Sequence, residues 1–178
     1  FNSPNDAVLA GDGDLYFTDP PYGLEKGPGD PLREIPFHGI YKADTNGQVT
    51  LLDSTISRPN GIALTPEGNK LIVANSDPSR AAWFIFDLDE KGAVTNRSVL
   101  LDVTAETAQA RGLPDGLKID SRGTLFASGP GGIWIFSSSQ KLLGKIRVPG
   151  VASNCALTAD EKTLFITADS LVLRVKMR

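Results

Sequence analysis

The chain is poor in the residues from which many catalytic and metal sites are built. Its 178 residues include one cysteine, Cys155, and one histidine, His38. A single cysteine excludes an internal disulfide and a cysteine-based zinc site. A serine-hydrolase triad would depend on His38 alone, and neither a G-x-S-x-G nor an H-E-x-x-H motif occurs. His38 follows Phe37 at a predicted strand entry, which favours a surface or structural role.

Positive charge and long apolar runs are also scarce. The formal net charge is -3 with a pI near 5.1, so no basic stripe points to nucleic acid as a partner. The longest apolar runs, such as residues 81–86, are far shorter than the roughly 20 residues of a membrane-spanning helix. With 40% hydrophobic and 22% charged residues, we expect a soluble globular protein, cytoplasmic or periplasmic. The sequence leaves its oligomeric state open.

One strand motif occurs four times along the chain. Each copy begins with Asn or Asp, continues as an alternating apolar run, turns over Gly, Asp or Glu, and ends in a second apolar run, as in a β-hairpin. The first residues of the copies are Asn5, Asn60, Asp115 and Asn154. A second hairpin follows each of the first three copies, so each repeat supplies four strands at roughly the 40 to 50 residue spacing of propeller blades. The sequence therefore predicts an all-β partial propeller of about four blades over residues 1–178.

The two ends of the repeat array predict that part of a ring is missing. After the fourth copy only one further strand is predicted, residues 171–176, so we expect an incomplete last blade. No spare strand precedes Asn5, and we therefore expect N-terminal blades before Phe1; a closed four-bladed ring is the alternative. The segment 20–36 is rich in proline and glycine and is predicted to be a long surface loop.

The repeated Asn and Asp residues also predict a binding site. Equivalent residues of radially arranged blades meet around the channel, so Asn5, Asn60, Asp115 and Asn154 are expected to ring one of its mouths. Amide and carboxylate oxygens are hard donors suited to Ca²⁺ or a similar divalent ion. Each residue alone could be a turn residue, because Asn-Gly and Asp-Gly are common turn dipeptides. Their recurrence at the start of every copy favours a metal site.

The amino-acid sequences of these repeats resemble those of a known family. The resemblance rests on four motifs: Asn-Ser-Pro-Asn-Asp at 2–6, Leu-Tyr-Phe-Thr-Asp-Pro-Pro-Tyr-Gly at 15–23, Arg-Pro-Asn-Gly-Ile-Ala at 58–63 and Leu-Pro-Asp-Gly-Leu-Lys-Ile-Asp at 113–120. They resemble the gluconolactonase, or senescence marker protein-30 (SMP-30), family over essentially the whole chain, as its C-terminal two-thirds. The resemblance implies a six-bladed propeller in the intact protein, one divalent metal ion in the channel, and hydrolysis of sugar lactones.

The resemblance also implies roles for individual residues. Asn60 and Asp115 match two direct metal ligands, and Asn5 matches a residue that contacts the metal site or the substrate. Asp115 also stands where the family places its general base. Tyr22 and Asn154, together with Asn5, are assigned to substrate binding. The expected ion is Ca²⁺, with Zn²⁺, Mn²⁺ or Mg²⁺ as alternatives, and a remaining ligand, a Glu, should lie upstream of Phe1.

These residues predict a metal-dependent hydrolase that opens a small-molecule lactone. The ion would polarise the lactone carbonyl while a metal-activated water attacks, and Asp115 would handle the proton, so no covalent nucleophile is needed. Without the upstream Glu, this stretch by itself is expected to have little or no activity. One alternative keeps the metal but takes a phosphotriester or aryl ester as substrate. Another is a non-catalytic propeller that binds a ligand or a protein on its channel face.

Overall fold

The computed structural model describes residues 1–177, which form four antiparallel sheets in chain order, named blades 1 to 4 here. Their strands are β1 (Ala7–Leu9), β2 (Leu15–Asp19), β3 (Gly39–Ala43) and β4 (Val49–Asp53) in blade 1; β5 (Pro59–Leu64), β6 (Lys70–Asn75), β7 (Ala82–Leu88) and β8 (Val94–Asp102) in blade 2; β9 (Leu117–Ile119), β10 (Leu125–Gly129), β11 (Gly132–Phe136) and β12 (Leu142–Arg147) in blade 3; and β13 (Ala152–Leu157), β14 (Thr163–Ala168) and β15 (Leu171–Lys176) in blade 4. The predicted all-β propeller of about four blades, the last one incomplete, is confirmed.

The first hairpin of each blade closes over the turn that the sequence predicted. In blades 1 and 2 the turn contains Gly13 (φ +96°) and Gly68 (φ +71°), in the left-handed region that glycine adopts without strain. In blade 4 the residue with positive φ is Glu161 (φ +55°). Its carboxylate accepts hydrogen bonds from the Ser121 backbone N–H and hydroxyl at 2.7 Å each. This turn therefore also links blades 3 and 4.

The first strands of the blades lie side by side around the centre of the array. β1 contacts β5, β5 contacts β9, and β9 contacts β13, as predicted for innermost propeller strands. Hydroxyl groups near the ends of the second strands cross the blade boundaries. Thr18 Oγ1 donates to Asn60 O at 2.8 Å, Ser128 Oγ donates to Ser153 O at 3.3 Å, and Ser76 Oγ donates to the Pro114 carbonyl. The blades are thus joined by polar as well as apolar contacts.

The apolar core lies mainly between neighbouring blades. Three buried clusters fill the boundaries between blades 1 and 2, 2 and 3, and 3 and 4. The middle cluster centres on Trp83, which is fully buried. Its ring lies 5.6 Å from the rings of Trp134 and Phe136, so one side chain of blade 2 packs against two aromatic residues of blade 3. Each of these three boundaries is thus filled by apolar side chains from both of its blades, as in other repeat architectures.

The predicted loop between β2 and β3 is held near the inner strands. It contains a short 3-10 helix, Gly27–Gly29, and the other described helix is Ala105–Ala108. Buried Asp19 accepts the backbone N–H groups of Asn2 at 2.9 Å and Ser3 at 2.6 Å, and Ser3 Oγ accepts the N–H of Gly23 at 3.0 Å. These bonds fix the start of the loop beside the first strand motif. Neither helix within residues 1–177 is long and apolar enough to span a membrane.

Candidate functional site

A pocket of about 830 Å³ opens where the first strands of the blades begin. Every residue that the sequence singled out for the site lines it: Asn5, Tyr22, Asn60, Asp115 and Asn154. Asn5 and Asp115 precede β1 and β9, whereas Asn60 lies inside β5 and Asn154 inside β13. The structure therefore brings together residues up to 149 positions apart along the chain, because equivalent residues of successive blades meet at the same level of the array. Their chemical roles stay predictions.

Asn60 is held by hydrogen bonds that run across three blades. Its side chain is largely buried. Asn5 Nδ2 donates to Asn60 Oδ1 at 2.5 Å, and Asn60 Nδ2 donates to Ser76 Oγ at 2.8 Å. Ser76 Oγ donates in turn to the Pro114 carbonyl, immediately before Asp115. The orientation of the Asn60 amide is therefore set from both sides, with its oxygen toward Asn5.

Asp115 is a partly buried carboxylate that forms no ion pair within residues 1–177. The pKa of its carboxyl group is raised to about 6, mainly by burial and to a smaller extent by the negative charge of Asp6, although hydrogen bonding from the Asn60 side chain and the Gly116 backbone opposes the rise. No Lys or Arg within residues 1–177 forms an ion pair with it. A carboxylate in this setting is stabilised by a cation that enters the pocket.

The glycines after Asn60 and Asp115 allow the blades to approach each other here. A Cβ atom on Gly61 would lie 2.2 Å from the Asp115 carbonyl oxygen, and one on Gly116 would lie 2.2 Å from Asn154 Cγ. Gly61 lies inside β5 rather than in a turn. The Asn-Gly and Asp-Gly pairs are therefore not turn dipeptides in this protein: the glycine makes room for the site residue of the next blade.

Replacing Gly61 with alanine is expected to destabilise the protein and disturb the pocket together. Its new methyl group meets the backbone of Asp115 and Gly116, which cannot move aside as a flexible side chain would, so we expect a loss of about 1–3 kcal/mol in the free energy of unfolding. Urea denaturation measures this loss of stability. Gly144→Ala is the matched control, because a Cβ atom there meets nothing within 4 Å. Equal stability of the two variants would contradict the close-approach explanation.

The other two copies of the motif have larger residues in place of this glycine. Asp6 of the first copy accepts the Ile62 N–H at 3.1 Å through Oδ2, which links blade 1 to blade 2. Cys155 of the fourth copy is buried, and its Sγ lies 3.5 Å from the Phe126 carbonyl oxygen. Burial raises the pKa of the Cys155 thiol to about 11. This cysteine is therefore a protonated packing residue rather than a nucleophile.

Tyr22 and Asn154 lie beside the pocket with polar groups available to a ligand. The Tyr22 hydroxyl donates to the Arg58 carbonyl oxygen at 3.2 Å, and burial raises its pKa above the ordinary value. Asn154 Oδ1 accepts the N–H of Cys155 at 2.8 Å. This bond fixes the side chain and leaves the Asn154 Nδ2 donor without a hydrogen-bond partner within residues 1–177.

Among the pocket residues that were not predicted from the sequence are Arg58, Ser76 and Arg111. None belongs to the repeated set, so the period that revealed the Asn and Asp residues carries no signal for them. His38 does not line the pocket; it is buried, with Nδ1 2.5 Å from the Ser57 carbonyl oxygen. Its predicted structural role agrees with this placement.

The donor set fits a hard divalent cation. Residues 1–177 contain no group of three or more His, Cys, Asp or Glu side chains that could hold a metal ion. The pocket instead combines the amide oxygens of Asn5 and Asn60 with the carboxylate of Asp115. Oxygen ligands of this kind suit Ca²⁺ or Mg²⁺ better than a soft metal. One carboxylate leaves the set weakly charged, so a further anionic ligand would strengthen it.

The fold and pocket define a class of protein: a β-propeller whose successive blades present amide and carboxylate oxygens at one end of the inner strands. The chain belongs to the SMP-30/gluconolactonase/LRE-like family, whose model, the SMP-30/Gluconolactonase/LRE-like region, matches residues 1–170. A gluconolactonase from Zymomonas mobilis subsp. mobilis is 41% identical over all of this chain and 51% of its own length. The chain thus spans about half the length of that curated relative.

Solved structures agree with this family. A gluconolactonase from Xanthomonas campestris matches all of this chain and 58% of its own chain, with 33% identity and a TM-score of 0.86. Regucalcin from Agrobacterium tumefaciens, a calcium-binding protein, matches 92% of this chain and 52% of its own, with 23% identity and a TM-score of 0.70. The second similarity shows the fold alone. The family resemblance that the repeat motifs predicted is confirmed.

Proposed function

We propose that the protein to which this chain belongs hydrolyses a sugar lactone with one divalent cation, Ca²⁺ in the first instance, held by Asn5, Asn60 and Asp115. One observation carries the proposal: these three oxygen donors line one pocket, and Asp115 is a partly buried carboxylate that no Lys or Arg within residues 1–177 neutralises. The gluconolactonase relatives support the choice of substrate. The resemblance predicts one more carboxylate ligand, a Glu.

Each of the pocket residues has a separate proposed role in opening the lactone ring. When bound, the cation would polarise the lactone carbonyl and stabilise the negative charge that develops on its oxygen. In this proposal Asp115, a carboxylate that lines the pocket, accepts the proton of an attacking water as general base. Tyr22 and Asn154 would orient the sugar hydroxyl groups. No covalent nucleophile is required, in keeping with a buried, protonated Cys155.

Metal titration combined with lactone hydrolysis tests this proposal. Calorimetry with Ca²⁺, Mg²⁺, Mn²⁺ and Zn²⁺ should detect one site, and gluconolactone hydrolysis by the full-length protein should be lost in chelator and restored by the ion. Undiminished hydrolysis in chelator would show that the reaction does not need a metal ion. Faster turnover of an aryl ester or phosphotriester than of any lactone would replace the substrate, and absence of both binding and turnover would favour a non-catalytic propeller.

Ser76→Ala is expected to weaken cation binding about 10- to 100-fold, the usual cost of losing a group that orients a metal ligand. The variant removes the acceptor of Asn60 Nδ2, which is one of the two hydrogen bonds that orient the amide, and leaves the bond from Asn5 Nδ2 to Asn60 Oδ1. Calorimetric titration measures the change. Ser76→Thr keeps the hydroxyl and should restore most of the affinity, whereas a purely structural role would show as lowered thermal stability with unchanged cation affinity.

A further inference from the structure

Two arginine side chains from different blades line the pocket beside the Asn and Asp residues. Arg58 immediately precedes β5 of blade 2, and Arg111 lies in the segment that leads to β9 of blade 3. Neither forms an ion pair within residues 1–177. In a chain with a net charge of -3, two guanidinium groups without an ion-pair partner within residues 1–177 thus line one pocket.

The backbone at Arg58 is held in place on both sides. Its N–H donates to Asn75 Oδ1 at 2.9 Å, and its carbonyl accepts the Ser76 N–H at 3.0 Å and the Tyr22 hydroxyl at 3.2 Å. Asn75 is fully buried. Pro59 follows and restricts Arg58 to an extended backbone. The Arg58 side chain is exposed but starts from a rigid point on the pocket wall.

The backbone at Arg111 is fixed by a neighbouring hairpin. Its carbonyl oxygen accepts the Gly131 N–H at 2.8 Å. Gly112, with φ +106°, follows in a conformation that suits glycine, and a Cβ atom there would lie 3.1 Å from the Gly129 carbonyl oxygen. The segment is thus pinned to the turn between β10 and β11. Arg111 therefore also lines the pocket from a fixed backbone.

The carboxylates of the pocket do not neutralise these arginines. Asp6 is engaged by backbone groups: Oδ1 accepts the Ala7 N–H at 2.9 Å, and Oδ2 accepts the Ile62 N–H at 3.1 Å. Asp115 forms no ion pair with either arginine. Groups of opposite charge thus share one pocket without pairing, and each remains available to a ligand. Guanidinium groups bind carboxylates in a bidentate, charge-assisted geometry.

We propose that Arg58 and Arg111 form a carboxylate-binding subsite of the pocket, and that its ligand is a sugar acid. The choice of a sugar acid rests on the proposed function; the subsite itself rests on the two arginines. The carboxylate has two possible sources, the ring-opened product of a lactone and a lactone that carries a second acid group. An acid group that the lactone already carries would meet the arginines while the lactone carbonyl faces Asn60 and Asp115. The carboxylate of a ring-opened product forms beside Asn60 and Asp115 and would move within the pocket to reach the arginines.

Binding of gluconate, compared with binding of its neutral analogue sorbitol, tests the subsite. Calorimetric titrations in chelator remove any contribution of a cation. We expect gluconate to bind, sorbitol to bind at least about tenfold more weakly, and Arg58→Gln/Arg111→Gln to weaken gluconate binding by at least about tenfold. Arg174→Gln removes the same charge from an exposed residue of β15 and should change nothing. Thermal unfolding checks that every variant is folded.

Three results would overturn the subsite: no gluconate binding, equal affinity for sorbitol, or unchanged gluconate affinity in the double variant. Hydrolysis by the full-length protein separates the two sources. If KM rises in the double variant for glucarolactone but not for gluconolactone, the subsite serves an acidic substrate. If only product inhibition by gluconate is relieved, it serves the product. Arginine-dependent gluconate binding without any lactone turnover would refute the proposed function and leave the subsite standing.

Discussion

Asp115→Asn is expected to lower kcat/KM for lactone hydrolysis by about 10²–10⁴-fold, the range typical of a lost general acid or base, and to weaken cation binding in parallel. The substitution keeps the size of the side chain and removes its charge. Asp115 is the carboxylate that shares the pocket with Asn5 and Asn60 without a cationic partner within residues 1–177. Steady-state kinetics of the full-length protein and calorimetric cation titration measure the two effects.

The matched control for this substitution is Asp160→Asn. Asp160 is exposed, lies at the hairpin turn of blade 4 outside the pocket, and accepts hydrogen bonds within residues 1–177 from its near neighbours Thr158 and Lys162. Asp160→Asn should leave both kcat/KM and cation affinity unchanged. If Asp115→Asn hydrolyses gluconolactone as fast as the wild type, both roles proposed for Asp115 fail. If cation affinity persists while turnover is lost, the base role stands and the ligand role is wrong.

Trp83→Ala is expected to cost about 3–5 kcal/mol in the free energy of unfolding, the usual range for a buried aromatic residue cut to alanine. Trp83 is fully buried between blades 2 and 3, against Trp134 and Phe136. Its Nε1 has no hydrogen-bond partner within residues 1–177, so the variant loses packing rather than a polar contact. Because domains are stable by only about 5–15 kcal/mol, this loss is large.

Urea denaturation followed by fluorescence and circular dichroism measures the effect of Trp83→Ala. Trp83→Phe keeps an aromatic ring at the blade boundary and should lose clearly less stability, which also covers the case in which the alanine variant does not fold. Leu143→Ala, on exposed β12, is the control and should change stability by less than about 0.5 kcal/mol. Similar losses for Trp83→Ala and Leu143→Ala would show that the boundary between blades 2 and 3 contributes little.

The residues that were predictable are those whose signal is local or repeated. Alternating apolar residues and turn glycines specify hairpins from neighbouring residues alone, and the four copies made the blades countable. The convergence of Asn5, Asn60, Asp115 and Asn154 followed from their equivalent places in the repeats. By contrast, Arg58 and Arg111 occur outside the repeated set. Their place in the pocket depends on how separate segments pack against each other.

The register of β5 is a second feature that could not be predicted from the sequence. Asn60 was expected at the start of its strand, but it lies inside β5, where the pairing with β6 shifts between Pro59 and Ile62. An irregularity of this kind re-aims side chains, and it depends on pairing with a strand whose register the sequence does not state. For the same reason the close approach of Gly61 to Asp115 could not be distinguished from an ordinary turn dipeptide.

The four Asn- or Asp-led strand motifs by themselves determined the blade architecture, the family and the set of oxygen donors, because strand alternation, turn chemistry and repetition are written along the chain. Only the tertiary structure decided how those donors are held and what stands beside them. Asn60 is oriented by Asn5 and Ser76, and Arg58 and Arg111 line the same pocket. These contacts join residues of different blades, and their distances are set when the blades pack together.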